Sequence, residues 1–433
     1  MSNNSYSIDV HHVTRVEGHG NIKVDIDNDQ VKEVRWMVPE APRFFEAMVV
    51  GRDCREIAHI TSRICGICSI GHTFASLKAT EDAFDIEISE QTRRLRELLN
   101  HGENLQSHVL HVGYLVAPDL FRQNSVVPLV SSHKELVLTI VKLHRLANEM
   151  CDIIGGRTTH PVRTCINGFT KLPTMKELEK LKKRLEESVD DLKALAAGVK
   201  SVADKLPAFE RDTEYVSLST PTEYAVYDGQ IRSTDLPDPI PVREYEGVVN
   251  EYVSEYSTAK YAKFNRESYM AGALARYNNN HEQLTDLSKA VAADLGLTGP
   301  SCNPFMNNVA QVVECVFSVE RCIDHVNWLL DKGLTIEDNH FQPKEGRGVG
   351  AVDVPRGILF HDYTYDKNGK CVKANCVIPT NQNHANIQLD MEKMVPEFKD
   401  QGKDELELLL QMLVRAYDPC ISCSTHCLSV EFV

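Results

Sequence analysis

Two Cys-x-x-Cys motifs at opposite ends of the chain constrain its fold more than any other feature of the sequence. The first contains Cys65 and Cys68, and the second contains Cys420 and Cys423, close to the last of the 433 residues. Four thiols so far apart in sequence share one centre only when the whole chain folds around it. Because thiolates select soft or borderline metals, the sequence predicts a buried metal centre to which both ends of the chain contribute.

The spacing of the motifs leaves other kinds of site open. Zinc ribbons and fingers place their cysteine pairs within about 12–20 residues, so a structural zinc site would be unusual here. Redox dithiols of the thioredoxin type need one pair inside a βαβ unit. A shared functional metal is favoured, because both motifs have charged or hydrogen-bonding neighbours that can tune thiolate basicity. These neighbours are Arg63, His72, Asp418 and His426.

Composition narrows the classes of function. Hydrophobic residues make up 42% of the chain, enough for a large core, and the formal net charge is −15. That charge argues against nucleic acid and anionic membranes as partners. No apolar run reaches the roughly 20 residues that span a bilayer, and residues 1–30 lack a signal-peptide pattern. The 13 cysteines have no compact spacing, so we expect free thiols and a cytoplasmic protein.

The periodicity of apolar residues predicts strands near both ends and helices between them. Alternation over 5–38, with a turn at 27–29, predicts a hairpin, and strands return over 348–377. Helical spacing is found over 72–84, 91–116, 130–154, 174–205, 280–295, 307–332, 388–394 and 404–417. Residues 210–246 are rich in Pro, Thr, Asp and Tyr, which predicts an irregular or short-stranded segment.

This order predicts an α+β fold, in which small N- and C-terminal β-structures flank a central bundle of long helices. We expect one interlocked domain over 1–433. Its parts are N-terminal strands with the first cysteine pair (1–75), a helical core (76–340), C-terminal strands with the second pair (341–426) and a tail (427–433).

The full motifs carry a resemblance to a known family. Arg-x-Cys-Gly-x-Cys-x-x-x-His over 63–72 and Asp-Pro-Cys-x-x-Cys-x-x-His over 418–426 resemble the paired signatures of the catalytic large subunit of nickel–iron hydrogenases. Similar elements along the chain are Arg-Val-Glu-Gly-His at 15–19, Arg-Phe-Phe-Glu at 43–46, Ser107, His108 and His111, Pro118-Asp119, Gly-Gly-Arg at 155–157, His160-Pro161, Pro-Arg-Gly at 355–357 and His361. The resemblance covers nearly the whole chain.

The resemblance implies a nickel ion held by all four thiolates, which suit a metal that changes oxidation state. Cys65 and Cys420 would be terminal ligands of nickel. Cys68 and Cys423 would bridge to an iron that carries carbon monoxide and cyanide ligands. The implied reaction is reversible heterolytic cleavage of dihydrogen. Cys420 would take the proton and Glu17 would pass it outward, since burial makes a carboxyl a suitable relay.

Two residues to which the resemblance gives a catalytic role have an alternative, purely structural interpretation. Arg356 would point its guanidinium at the open face of the metals, although an Arg after a Pro turn is often simply salt-bridged. The chain also has Asp353 where the family commonly has Glu, which leaves the local pairing open. For Glu17, the alternative is an ion pair with Arg15 or with another strand residue.

Further residues are implied as neighbours of the metals. Thr380 would hydrogen-bond a cyanide, and His72 would hydrogen-bond the sulfur of a bridging cysteine. Asp418 would lie beside the centre, next to the second pair. Glu46 and His426 would help to bind a magnesium-type ion, which prefers oxygen-rich ligands; the alternative for Glu46 is a solvated helix face.

The last residues bear on maturation. Many members of the family are cut by a maturation protease directly after the His that matches His426, once nickel is in place, and a nickel chaperone is implied with it. Residues 427–433 are therefore either a retained tail or the mark of an unmatured precursor.

Partners follow from what the chain lacks. It has no spare cysteine cluster with iron–sulfur spacing, so an iron–sulfur small subunit is implied. The chain most resembles the cytoplasmic, multi-subunit branch, in which flavin-containing subunits exchange electrons with NAD(P) or ferredoxin. Two non-catalytic interpretations stay open: a relative of the quinone-site subunit of respiratory complex I, and a zinc-stapled interaction protein. Metal analysis separates the three.

Overall fold

The computed structural model describes residues 5–425, in which thirteen strands form small separate sheets. Sheet orders are β1-β2-β3, β10-β6-β7, β11-β12-β13, β4-β5 and β8-β9, where the strands are β1 (Tyr6–Val10), β2 (Asn21–Asp27), β3 (Gln30–Met37), β4 (Thr164–Cys165), β5 (Gly168–Phe169), β6 (Glu214–Ser219), β7 (Gln230–Ser233), β8 (Asn250–Val253), β9 (Lys260–Lys263), β10 (Tyr269–Met270), β11 (Gly346–Val354), β12 (Gly357–Tyr365) and β13 (Cys371–Val377).

Fourteen α-helices lie in the same described residues. They are α1 (Phe45–Val49), α2 (Cys54–Thr61), α3 (Ser69–Phe84), α4 (Glu90–Leu110), α5 (Ala117–Leu120), α6 (Leu129–Ser132), α7 (Lys134–Gly155), α8 (Met175–Lys200), α9 (Tyr245–Val248), α10 (Ala273–Asn280), α11 (Asp286–Asp294), α12 (Met306–Lys332), α13 (Pro379–Phe398) and α14 (Lys403–Ala416). No helix in residues 5–425 combines the length and apolarity needed to cross a membrane.

The long helices α4, α7, α8 and α12 pack together as the predicted central bundle. Helix α8 buries one leucine stripe, including Leu181 and Leu185, and leaves its charged face in solvent. A capping box between Thr174 and Glu177 satisfies backbone donors at its start. Helices α4 and α12 are buried along most of their length, so the polar side chains that they carry inward must find partners inside the protein.

The N-terminal sheet confirms the predicted hairpin. Strands β2 and β3 pair in antiparallel order, and both turn residues, Asn28 and Asp29, have positive φ (50° and 64°). This backbone geometry is typical of the tight turns whose twist matches that of the strands. The segment between β1 and β2 runs to the second cysteine pair, where Glu17 forms an isolated parallel bridge with Cys420.

The C-terminal sheet positions the helix that follows the first cysteine pair. Strand β11 presents alternate glycines to α3. A Cβ added at Gly348 would lie 2.1 Å from the carbonyl oxygen of Ala79, and one at Gly350 would lie 2.2 Å from that of Ala75. The missing side chains let the helix backbone lie directly on the strand, so the sheet fixes α3 and the cysteines at its N-terminus.

Several helix boundaries differ from the sequence prediction. The helix expected over 280–295 begins later: Asn280 is the last residue of α10, and α11 begins after Thr285, whose side chain accepts a hydrogen bond from the backbone of Ser288. Helix α4 does not continue as an α-helix to residue 116 but passes into a π-helix, His111–Val116. Helix α13 starts at Pro379, nine residues earlier than predicted, because proline suits the first turn of a helix.

Residues 210–246 contain the short strands β6 and β7, as the composition predicted. Strand β6 is almost fully buried and lies in parallel beside β10. The segment therefore contributes to a second apolar core beneath the C-terminal sheet, including Val216, Leu218 and Ile358.

Candidate metal centre

The two cysteine pairs meet in the interior. The four Sγ atoms of Cys65, Cys68, Cys420 and Cys423 all lie within 4.8 Å of one another, and each residue is at most 5% exposed. The Sγ atoms of Cys65 and Cys420 are 3.5 Å apart. Within residues 5–425 these cysteines are the one group of three or more potential metal-binding side chains whose ligand atoms converge. The predicted meeting of the two ends is present in the structure.

The first pair is organised by its own backbone. Cys65 is extended after a short 3-10 turn, and Cys68 directly precedes α3. The backbone N–H groups of Ile67 and Cys68 both donate to the sulfur of Cys65, at 3.2 and 3.0 Å. Below the pair, the buried carboxyl of Glu103 accepts hydrogen bonds from the backbone of Ile70 (2.7 Å) and from the backbone of the next residue. That carboxyl satisfies donors at the start of α3.

The second pair follows the end of α14 and depends on distant residues. The backbone N–H of Cys420 donates to Thr380 Oγ1 at 3.0 Å. The sulfur of Cys420 lies 3.2 Å from Glu17 Oε2, which also accepts the backbone N–H of Ser422 at 3.1 Å. The other oxygen of Glu17 accepts the hydroxyl of Ser422. Glu17 is therefore bound to the second pair, and Arg15 pairs with Asp119 instead.

Arg43 joins the two halves of the centre. One of its terminal nitrogens donates to the carbonyl of Ile64 at 2.7 Å and also to the carbonyl of Ser422. These carbonyls directly precede Cys65 and Cys423. A single guanidinium thus holds the two cysteine segments against each other.

Gly18 sets the distance between the N-terminal segment and the second pair. Its φ is +84°, and a Cβ there would lie 2.7 Å from the backbone nitrogen of Ser422 and 2.8 Å from the Cβ of Ile421. Both the left-handed backbone and the close approach require glycine. This contact keeps the Glu17 carboxyl within reach of Cys420.

The thiols differ electrostatically. Burial raises the pKa of Cys420 and of Cys423 well above the ordinary value for a thiol. Burial also opposes ionisation of Cys65, but hydrogen bonds from the other three thiols outweigh it and lower its pKa. Burial lowers the pKa of His72 to about 4, so its imidazole is neutral at pH 7. Its Nδ1 lies 3.1 Å from Nε2 of His361.

Arg356 lies beside the sulfurs, almost wholly buried. It donates to Asp418 Oδ1 at 2.7 Å and to the Ser107 hydroxyl at 3.1 Å. Burial alone would disfavour its charge, but Asp418 and the nearby thiols raise its pKa. The other oxygen of Asp418 accepts a hydrogen bond from Gln311 at 2.9 Å. The Nε of Arg356 has no partner within the described residues and is available to a bound group.

The remaining predicted site residues are placed as follows. Glu46 is not on a solvated helix face: its Oε1 accepts the backbone N–H of Cys376 at 2.8 Å, and burial raises its pKa to about 7. Its surroundings include Lys260 and Glu251, which form an ion pair of 3.0 Å. His426 lies outside the described residues. Among those residues, no second convergent cluster of metal-binding side chains accompanies Glu46.

The donor set fits a thiolate-bound metal. At metal–sulfur bonds of about 2.3 Å, four sulfurs arranged tetrahedrally lie about 3.8 Å apart, and the sulfurs here have comparable separations. The Arg356 guanidinium, with its unpartnered Nε, lies near the sulfurs, and the Glu17 carboxyl contacts the sulfur of Cys420. The arrangement can hold a soft metal, move a proton from sulfur to carboxylate and stabilise negative charge with a fixed cation.

Comparison with known proteins decides the family. The family model described as nickel-dependent hydrogenase matches residues 43–129 and 210–426, and a model described as HoxL-like matches residues 7–41. The chain belongs to the nickel-dependent hydrogenases. Sulfhydrogenase 1 subunit alpha of Pyrococcus furiosus is 34% identical to this hydrogenase, over 98% of the chain and 99% of the relative. NAD-reducing hydrogenase HoxS subunit beta of Cupriavidus necator is 27% identical, over 96% and 94%.

Solved structures have the same fold. A crystal structure of NAD+-reducing [NiFe]-hydrogenase in the H2-reduced state matches with a TM-score of 0.89 and 25% identity, over 98% of this hydrogenase and 100% of that chain. The Ni-Fe-Se hydrogenase from D. vulgaris Hildenborough matches with a TM-score of 0.77 and 22% identity. The α+β prediction and the catalytic-subunit interpretation are confirmed. Since the relatives are subunits of multi-subunit hydrogenases, a partner subunit is implied.

Several residues of the hydrogenase site have contacts that the sequence does not predict. Arg43 and Ser107 lay within recognised motifs, but their partners are distant in sequence. A detectable signal does exist in α12, where polar residues recur on one face of an otherwise apolar helix. These residues are Asn307, Gln311, Glu314 and Ser318, all buried. Such a buried polar stripe indicates a network facing a site.

Proposed function

We propose that this hydrogenase cleaves dihydrogen reversibly and heterolytically at the four-cysteine centre. Cys65 and Cys420 would be terminal ligands of nickel, and Cys68 and Cys423 would bridge to an iron with carbon monoxide and cyanide ligands. When bound, the nickel–iron group would supply the electron-rich site at which dihydrogen is polarised and split. The observation that carries the proposal is the convergence of four sulfurs from both chain ends within 4.8 Å.

The chain itself would handle the proton. The Cys420 sulfur is 3.2 Å from Glu17 Oε2, within reach for transfer from sulfur to carboxylate. Ser422 binds Glu17 through both its hydroxyl and its backbone N–H, so the carboxylate is held in one orientation. Glu17 itself is only half-buried, which would let it pass the proton outward.

Arg356, Thr380 and His72 would orient the metal group. The free Nε donor of Arg356 would face the metals, while Asp418 holds the rest of its guanidinium. The Thr380 hydroxyl accepts the Cys420 N–H, and its own hydrogen would go to a cyanide. Neutral His72 would donate to the sulfur of Cys423. A fixed cation and fixed donors cost no reorganisation during reaction.

A second ion would be held by Glu46 and His426. Support comes from the buried carboxyl of Glu46 beside Lys260 and Glu251, a setting in which a hard cation such as Mg²⁺ would replace the proton favoured by burial.

An iron–sulfur small subunit would take the electrons, and flavin-linked subunits would pass them to NAD(P) or ferredoxin. The names of the sulfhydrogenase and NAD-reducing relatives support a multi-subunit assembly. We place the enzyme in the cytoplasm. A maturation protease would remove residues 427–433 after a nickel chaperone has acted.

The test is metal analysis of the purified complete enzyme together with hydrogen–deuterium exchange. We expect nickel and iron near one each at the four-cysteine centre, dye-linked hydrogen oxidation, and infrared bands from iron-bound carbon monoxide and cyanide. Active protein that contains zinc or no nickel would overturn the proposal.

A further inference from the structure

Arg276 is a fully buried arginine on α10 that uses every donor of its side chain. Its Nε and one terminal nitrogen bind both oxygens of Glu314, at 2.6 and 2.7 Å. The remaining donors bind Asp353 Oδ1 (2.5 Å), the carbonyl of Val354 (2.7 Å) and the carbonyl of Pro355 (3.0 Å). The guanidinium therefore binds three consecutive residues, 353–355, at the point where β11 ends.

The two carboxylates that bind Arg276 have further hydrogen-bond partners. Glu314 on α12 also accepts hydrogen bonds from the Tyr224 hydroxyl (2.6 Å) and lies 2.7 Å from His108 Nε2. Burial opposes its ionisation, but Arg276 outweighs burial and holds the pKa of Glu314 well below its ordinary value. Asp353, shorter than the Glu common in the family, is held on its other side by the backbone N–H of Leu218 at 2.8 Å.

The residue that follows this bound segment in the chain is Arg356. Val354 and Gly357 pair across β11 and β12, so Pro355 and Arg356 are the two residues of a tight turn. The guanidinium of Arg356 then reaches the sulfurs, Asp418 and Ser107 as described above. Its position depends on where the backbone of that turn lies.

We propose that Arg276 is a positioning residue for Arg356, fixing the turn that carries it against the metal centre. This inference rests on the role given to Arg356 in the proposed function. A lysine at position 276 would keep the charge, but with three donors and no planar fork it cannot hold Glu314 and the turn together. Misplacement of a catalytic group by about 1 Å can cost about 10²-fold in rate.

Arg96 offers a matched control. It is equally buried, forms a two-point ion pair with Glu81, and also binds the Cys165 carbonyl. Glu81 lies about 20 Å along α3 from Cys68 of the first pair, at about 1.5 Å per residue. R276K and R96K therefore make the same chemical change in similar surroundings, and only the first touches the turn.

The experiment compares complete, metal-loaded enzyme carrying R276K, R96K, R356K and the R276K/R356K pair. We expect R276K to lower kcat per bound nickel by about 10–100-fold, and R96K to leave it within twofold. In the R356K background, R276K should add less than twofold, because its effect passes through Arg356. Amide exchange over 352–358, measured by mass spectrometry, should accelerate at least tenfold in R276K and stay unchanged in R96K.

Equal kcat per nickel in R276K and R96K, or additive losses in the pair, would overturn the proposal. Full activity of R356K would instead remove the role of Arg356 in the proposed function, while exchange over 352–358 would still report whether Arg276 holds the turn. Should R276K fail to accumulate, D353N decides: a fall of at least fivefold in kcat per nickel supports the inference, and a change within twofold overturns it.

Discussion

The two cysteine pairs of the centre are held by different kinds of contact. The sulfur of Cys65 receives hydrogen bonds from the backbone of its own motif, at 3.2 and 3.0 Å. The second pair, by contrast, is held by Thr380, by Glu17 and by the shared clamp of Arg43. The first pair is organised by its own motif, and the second pair by segments 40 to about 400 residues away.

This difference places the locally formed metal ligands in one pair and the groups proposed to move protons beside the other. The first pair, here called the local half, can take its shape as soon as α3 is packed, since the donors to Cys65 lie within four residues of it. The second pair, here called the assembled half, takes its shape only when the N-terminal segment, α13 and α14 are all in place. The groups that would move protons, Cys420 and Glu17, both lie on the assembled side. Substitutions should therefore affect the two halves in different ways, except where the metal itself is concerned.

The largest effect on nickel binding and activity is expected from removing a cysteine of either pair, because both pairs supply sulfur ligands. C65A and C420A each remove a sulfur, and both should lose nickel binding and hydrogen oxidation, because loss of an outer contact alone already costs about 10–100-fold. C322A removes a thiol that is equally buried but outside the centre, and should retain nickel. Nickel content by mass spectrometry is the measurement. Retained nickel in C65A but not in C420A would break the symmetry.

Glu17 should show the functional side of the assembled half. E17Q keeps the shape of the side chain and removes its basicity, so turnover and isotope exchange should fall by about 10²–10⁴-fold while nickel stays bound. E40Q is the matched control, since Glu40 binds the backbone of His19 nearby at 2.9 Å. Wild-type exchange rates in E17Q would remove the relay role.

Substitutions at Arg43 and Thr380, which hold the second cysteine pair, should have intermediate effects. Because a lysine side chain is one bond shorter than that of arginine, R43K moves the donor nitrogen away from the two carbonyls, so nickel retention against a chelator should fall by about 10–100-fold. T380V leaves the Cys420 N–H without its acceptor, at a cost of about 1–3 kcal/mol, and touches only the assembled half. We expect R43K to lose more nickel to the chelator than T380V does. The reverse order would show that the hydrogen bond between Thr380 and the Cys420 N–H matters more than the contacts of Arg43.

The smallest effect on activity is expected at Glu103, beneath the local half. Burial raises the pKa of Glu103 to about 8, above the ordinary value of about 4.3. The folded state then holds a proton that the unfolded state releases, so stability should fall as pH rises between these values. E103Q should lack this fall and gain up to about 4 kcal/mol on the wild type from pH 5 to pH 9. Parallel unfolding profiles would contradict it.

Local patterns allowed much of the fold to be predicted. The hairpin of β2 and β3 follows from alternation and from turn residues that tolerate positive φ, and the long helices follow from apolar spacing. The start of α11 after Thr285, rather than at residue 280, was missed, because the capping bond of Thr285 competes with a continuous apolar pattern. The π-helix after Leu110 was also missed; within it, the Leu115 carbonyl accepts a hydrogen bond from Arg15, a tertiary contact that no local pattern predicts.

The site was predictable to the extent that its residues lie in motifs. The cysteines, Glu17 and Arg356 were all named from the sequence, and the structure brings them together. Neither the carbonyl contacts of Arg43 nor the ion pairs of Arg276 with Glu314 and Asp353 were predictable, since no local pattern links residues so far apart in sequence. Asp353 likewise meets Arg276 only through the tertiary fold, since the two residues lie 77 positions apart.

Glu17 bridges to Cys420 through its backbone, and Gly18 beside it packs directly on residues 421 and 422. Since the Glu17 carboxyl contacts the Cys420 sulfur and is only half-buried, a proton on the proposed route would need a single transfer to leave the interior. A subunit that covered Glu17 would then govern how fast protons escape.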